Sequence, residues 1–305
     1  MSIQRVAIVG LGLLGGSVGL AVKEHASGIQ TTGYDRDSNV RERAAERGLV
    51  DKVCDSPAEA VRDADLVVLC VPVGAMETAA GDFAAHLKES AIVSDVGSSK
   101  ESVAKALAKT LPGITIIPAH PVAGTEQSGP EAGFASLFIN RWCILTPPEG
   151  ADGSAVSALS DFWTKLGAKV ELMDAQHHDL VLAVTSHIPH LIAYTIVGTA
   201  SDLEEVTRSE VIKYSAGGFR DFTRIAASDP VMWRDVFLNN KGAVLEVLGR
   251  FTEDLTALQR AIRSGDGDTL HDLFTRTRAI RREVIDQGQD DERPDFGRKD
   301  HSSEH

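Results

Sequence analysis

The apolar run at residues 6–9 passes directly into Gly10-Leu11-Gly12-Leu13-Leu14-Gly15, and a helix-like stretch continues from there through Val22. This feature restricts the chain more than any other. A short continuous apolar run predicts a strand buried on both faces of a parallel sheet, and a glycine-rich turn leading into a helix predicts the first βα unit of a dinucleotide-binding fold. Gly10 permits the tight turn, Gly12 lets the backbone approach a pyrophosphate, and Gly15 lets the helix pack closely on the strand. The first helical turn, carrying Leu13 and Leu14, offers free N–H groups to the phosphates.

A lone glycine fingerprint is weak, and Asp35 supplies the independent check. It ends a second strand-like run, residues 29–34, and stands 20 residues after Gly15. That is where a carboxylate hydrogen-bonds the adenine ribose hydroxyls, which favours NAD over NADP. Arg36 weakens the exclusion, because an arginine can accommodate a 2′-phosphate. The plainer alternative for Asp35 is a cap on the next helix.

Apolar runs at 65–71, 91–95 and 114–118 predict further strands, with a helix at 41–47 before the first and one at 100–110 between the last two. Strand–helix alternation predicts a Rossmann-type doubly wound parallel sheet, whose ligands gather at the carboxyl ends of the strands. The segments that follow the strands are therefore candidate site loops: Val71 and Pro72, Asp95 to Lys100, and His120 to Glu126. A last strand is expected at 168–173. Beyond it, apolar residues at helical spacing predict helices at 175–198, 205–214, 230–254 and 255–282, with Asp229 before Pro230 as a helix start. The expected organisation is a nucleotide-binding domain at 1–173, an all-α substrate-binding and dimerisation domain at 174–285, and a disordered acidic tail at 286–305.

Lys and Arg number 31 against 44 Asp and Glu, a net charge of −13. A general affinity for nucleic acid or an anionic membrane is excluded on that balance, though not a local cationic pocket for an anionic small molecule. The first strand begins too early for a secretion signal to precede it, and no uninterrupted apolar run has the length of a membrane span, so a cytoplasmic protein is expected. Cys54, Cys70 and Cys143 lack any metal or disulfide spacing and read as reduced core residues.

Three polar clusters stand in apolar or glycine-rich surroundings. His120 follows a strand and is placed to face a nicotinamide, although a lone histidine is often only a hydrogen-bonded structural residue. His187 and His190 lie three apart, on one face if helical; that spacing suits a metal, but no nearby carboxylate or thiol completes a ligand set, so none is expected. Arg220 and Arg224, behind Gly217-Gly218, could fork onto a carboxylate or simply be solvated.

Read in order, Gly10 to Ser17, Asp95 to Lys100, His120 to Gly129, Ser186-His187-Ile188-Pro189-His190 and Asp221 to Trp233 resemble the prephenate dehydrogenase family, which includes arogenate and cyclohexadienyl dehydrogenases. The first motif is generic to Rossmann proteins; the last three in this order are specific. The resemblance implies NAD-linked oxidative decarboxylation in tyrosine biosynthesis, with His120 as general base and Ser98 orienting it and contacting substrate or nicotinamide. It further implies Arg224 on the substrate carboxylate, His190 binding substrate, and Ser186, His187 and Asp179 supporting His190. Glu126 and Trp233 would line or gate the pocket, and Arg220 stands where relatives often carry lysine. A homodimer through the helical half is implied as well. On this organisation, neither the chorismate mutase nor the ACT domain that some relatives carry is expected. Two rival readings are a β-hydroxyacid-type dehydrogenase, disfavoured because 186–190 lacks the lysine that those enzymes centre on, and a non-catalytic NAD sensor.

Overall fold

The computed structural model describes residues 2–125, 127–202, 213–214 and 217–284. Glu126, most of the expected 205–214 helix and the acidic tail lie outside the described residues. The chain divides into two compact units between Val247 and Leu248.

In the first unit six strands form one parallel sheet. They are β1 (Arg5–Val9), β2 (Gln30–Tyr34), β3 (Lys52–Val53), β4 (Leu66–Leu69), β5 (Ile92–Asp95) and β6 (Thr115–Ile116). Their order, β3-β2-β1-β4-β5-β6, is the doubly wound arrangement, with its switch point between β1 and β4. β4 reads buried at every position, as a strand covered on both faces must. One apolar layer joins Val6, Ile8, Leu66 and Val68 to α1 (Leu13–His25) and α6 (Gly153–Lys165). The opposite layer joins Ala7, Val9, Val67 and Leu69 to α4 (Met76–Phe83) and α5 (Glu101–Thr110). The remaining early helices, α2 (Ser38–Glu46) and α3 (Pro57–Val61), are capped by Asp37 and Ser56.

A second, three-stranded sheet stands beside the first, and the sequence pattern gave little warning of it. β7 (Ala119–Pro121) pairs antiparallel with β8 (Trp142–Leu145), which runs parallel to β9 (Lys169–Leu172). His120 therefore lies within a strand of this small sheet rather than at the carboxyl end of a Rossmann strand. Two and three residues are too short for a period to show in β6 and β7, and Pro118 between them ends the first without announcing the second.

Helices follow. Asp174 caps α7 (Ala175–Leu182) through the Gln176 and His177 amides. One wide turn at Ala183–His187 carries i→i+5 bonds, and α8 (Ile188–Asp202) continues. The stretch Ala175–Asp202 is apolar and long enough to cross a membrane, yet His178, Asp179, His187 and His190 all belong to it. Next come α9 (Gly217–Thr223), a tight turn at Arg224–Ala227, and α10 (Pro230–Asn239), which Asp229 caps through the Met232 amide at 2.7 Å. Asn240 breaks the helix expected at 230–254, and α11 (Lys241–Ser264) starts after it. The second unit holds the continuation of α11 and then α12 (Gly267–Val284), after Gly265 at φ +70°.

Candidate active site

The glycine turn has the shape a dinucleotide needs. A Cβ on Gly10, at φ +98°, would stand 2.5 Å from the Cys70 carbonyl oxygen, and one on Gly15 would stand 1.8 Å from that of Gly10. Both positions are closed by the protein itself. Gly12 differs, because a Cβ there meets nothing within 4 Å, so its missing side chain leaves room for something other than protein. It stands at the N-terminus of α1, where no side chain caps the helix and no acidic residue occupies the first turn. Those unpaired amides and the helix dipole suit a pyrophosphate.

Asp35 ties this turn to β2. Its Oδ2 accepts from the Leu11 amide at 2.9 Å and its Oδ1 from the Asp37 amide at 3.0 Å. The cap of α2 is Asp37, not Asp35. Arg36 is exposed, whereas Arg41, which no motif in the sequence marks, donates to the Asp35 carbonyl at 2.8 Å and lies over the Tyr34 ring. Val71 and Pro72 follow β4 beside Gly10, where the Val71 side chain closes the turn.

His120 is positioned twice. The backbone of its neighbour Ala119 is held by a buried ion pair: Lys100 Nζ donates to Asp95 and, at 2.7 Å, to the Ala119 carbonyl, while the Ala119 amide donates to Asp95 Oδ1 at 3.3 Å. Burial pushes the Asp95 carboxyl up and the Lys100 ammonium down, and each partner pulls the other back. The His120 ring is held by His178, with Nδ1 and Nε2 2.9 Å apart. His178 Nδ1 lies 2.9 Å from Asp179 Oδ1. Asp179 also accepts from the Lys100 amide at 2.7 Å and the Glu101 amide at 3.0 Å, capping α5 from another helix. Burial, reinforced by His178, Lys100 and His187, holds the His120 imidazole well below its usual pKa, so the ring is neutral.

His187 is buried, and its Nδ1 lies 3.1 Å from Asn240 Nδ2, which also donates to the Asp179 carbonyl at 2.7 Å. Burial lowers its pKa to about 4, with Asp179 opposing. Because the unfolded chain binds that proton more readily, stability is full above the unfolded value of 6.5 and declines as pH falls from there towards about 4. Chemical denaturation at pH 7 and pH 5 checks this. The wild-type protein is expected to lose stability at the lower pH, and His187→Gln to lose less; equal losses would contradict the assignment to His187.

His190 donates from Nδ1 to the Ser186 carbonyl at 2.9 Å and stacks on Trp233, with ring centroids 3.6 Å apart. His187 meets the same indole edge-on at 6.1 Å, so both imidazoles flank one ring. The buried Trp233 Nε1 has no hydrogen-bond partner among the described residues. Burial lowers the His190 pKa, and the Arg224 charge adds to the effect. Tyr194 in α8 donates to the Ser228 carbonyl at 2.7 Å and so ties the end of the Arg224 turn to the helix carrying His190. Arg220 is an exposed side chain paired with Asp221 at 3.2 Å. Ser98 lies in the loop between β5 and α5, half-buried. Burial pushes the Cys70 and Cys143 thiols up, away from thiolate chemistry.

Nucleotide fold, buried neutral histidine and flanking imidazoles and arginine now stand together on one unit. A family model for the prephenate dehydrogenase nucleotide-binding domain matches residues 18–172, and one for the prephenate dehydrogenase dimerization domain matches residues 174–276. The chain belongs to the prephenate dehydrogenase family. It is 46% identical over 278 residues to a cyclohexadienyl dehydrogenase of Zymomonas mobilis, covering 91% of this chain and 95% of that one. A prephenate dehydrogenase from A. aeolicus, solved with hydroxyphenyl propionate and NAD+, superposes with a TM-score of 0.86 at 32% identity, covering 93% of this chain and 99% of the other. An arogenate dehydrogenase from Synechocystis gives 0.78 at 27% identity, covering 92% and 99%. Members of the family are thus similar to this chain along both the sheet half and the helices that follow.

Proposed function

We infer that the protein catalyses the NAD-dependent oxidative decarboxylation of prephenate and of arogenate, giving 4-hydroxyphenylpyruvate and tyrosine. The observation that carries this reading is a buried His120 held by the Ala119 clamp and by His178 in a chain whose glycine turn fits a dinucleotide. NAD+, when bound, accepts the hydride from the ring carbon that carries the hydroxyl. His120 takes the hydroxyl proton as this happens, and a neutral imidazole suits that task. Departure of the ring carboxylate as CO2 leaves a phenolate oxygen, to which His120 returns the proton as the ring becomes aromatic. The base therefore only borrows a proton, which is compatible with its burial. Ser98 is assigned to substrate or nicotinamide contact.

His190 and Trp233 bind the substrate, supported by Ser186 and His187, and Arg224 takes a carboxylate. An acidic protein that binds a dianion needs such a local cation. Arg224→Ala is expected to raise KM with little change in kcat, by roughly ten- to a hundredfold if a charge-assisted contact contributes about 1.5–3 kcal/mol. An unchanged KM would remove Arg224 from the carboxylate site.

The preference for NAD over NADP rests on Asp35, whose carboxylate a 2′-phosphate would approach, with Arg36 and Arg41 moderating the exclusion. We assign the helical half to a homodimer interface, because Leu180, Val184, Ile196, Val197 and Leu245 expose apolar side chains within the matched dimerization domain. The assignment of a cytoplasmic location follows from biosynthetic chemistry that draws on soluble NAD. Steady-state kinetics on prephenate and arogenate, each with NAD+ and NADP+, test the function. Turnover of both substrates with NAD+ favoured is the expected result, and turnover of neither would overturn the reading.

A further inference from the structure

We propose that His178 is a positioning residue for the base, fixing His120 in the tautomer whose Nε2 lone pair is free for the substrate hydroxyl. The proposal rests on the functional reading of His120 given above. It starts from Asp179. Its Oδ1 accepts from the Lys100 amide and its Oδ2 from the Glu101 amide, at 2.7 and 3.0 Å, so the carboxylate acts purely as an acceptor at the N-terminus of α5. The third contact, His178 Nδ1 at 2.9 Å from Oδ1, must then be a donated N–H. With Nδ1 protonated, neutral His178 has its lone pair on Nε2. That atom lies 2.9 Å from His120 Nδ1, which must in turn carry hydrogen. The remaining nitrogen of His120, Nε2, is left as the basic atom.

The rest of the surroundings agrees with this order. The charged and titratable groups acting on these two rings are Lys100 and Asp95 from the β5–α5 segment, Asp179 from α7 and His187 from the wide turn. Burial lowers the pKa of both imidazoles, Lys100 adding to the effect and Asp179 opposing it at His178, and the contacts order the donors one way, from His120 through His178 to Asp179. When His120 gains the substrate proton at Nε2, its Nδ1–H strengthens its bond to His178, and Asp179 stabilises the charge at the end of the chain. The proton stays on His120 and returns to the phenolate oxygen, so His178 is neither oxidised nor reduced and exchanges nothing with solvent.

The carboxylate that anchors this chain also caps α5, the helix following Ser98 to Lys100. One side chain thus sets the base and the loop beside it in a common frame.

Nitrogen-15 NMR of the full-length protein reads the tautomer, and kinetics on His178→Phe and His178→Gln read its effect. The wild-type protein is expected to show His120 protonated at Nδ1 and bare at Nε2. His178→Phe removes the acceptor and is expected to lower kcat by roughly 10²-fold while KM changes little, in line with a share of general-base catalysis. In His178→Gln the amide oxygen can still accept from Nδ1, and most of kcat should return. A wild-type His120 protonated at Nε2, a His178→Phe protein with undiminished kcat, or a folded His178→Gln protein as slow as the phenylalanine variant would each overturn the proposal. If His178→Phe fails to fold, the NMR tautomer and the glutamine variant still decide. Turnover by wild-type protein in the same assays separates failure of this idea from failure of the functional reading.

Discussion

His120→Asn is expected to lower kcat by about 10²–10⁴-fold, the usual share of a general base, with KM for the substrate nearly unchanged. Asparagine fits the strand and can still hydrogen-bond, so the fold should persist, but it cannot take a proton. The loss should fall on kcat because His120 acts on the hydroxyl as the proton leaves, whereas ground-state binding falls to His190, Trp233 and Arg224. A near-normal kcat would remove His120 from the base role. A rise in KM with kcat intact would make it a binding residue instead.

Lys100→Ala is expected to cost about 3–5 kcal/mol of stability, the range for removing one partner of a buried pair and leaving the other charge uncompensated. Lys100 and Asp95 are both fully buried, and among the described residues Asp95 keeps the Gly97 and Ala119 amides when the ammonium is gone. The Ala119 carbonyl loses its donor as well, so the strand carrying His120 is loosened. Equilibrium unfolding in denaturant measures the loss. A Lys100→Met, Asp95→Asn double variant should recover part of it, because no charge then remains buried. A loss within about 1 kcal/mol for Lys100→Ala would mean that water reaches Asp95 and the clamp is weaker than its geometry shows.

The nucleotide half was legible because each of its signals is local. Strand, glycine turn and the acidic residue at the end of β2 stand in fixed order, and Asp229-Pro230 marks a helix start in the same way. The candidate site was legible only in part. His120, His187, His190 and Arg224 stand out as polar groups in apolar surroundings, but His178 lies in a run of polar residues at the start of α7, where a solvated face is the ordinary expectation. Its link to His120 crosses 58 residues of chain and carries no spacing signal. The wide turn at Ala183–His187 hides a further relation. Residues nine apart point to opposite sides of a regular α-helix, and one extra residue in the turn brings His187 round towards the side of His178 and Asp179. Asn240, which joins His187 to Asp179, reads in sequence only as a polar residue between two helices.

On the proposed function, this chain oxidises and decarboxylates its substrate in one coupled reaction. The most direct test is to supply prephenate and NAD+ and to quantify NADH, CO2 and 4-hydroxyphenylpyruvate together. Equal amounts of all three are expected, with His120→Asn forming them about 10²–10⁴-fold more slowly. NADH without CO2, or no NADH from prephenate or arogenate, would contradict the account.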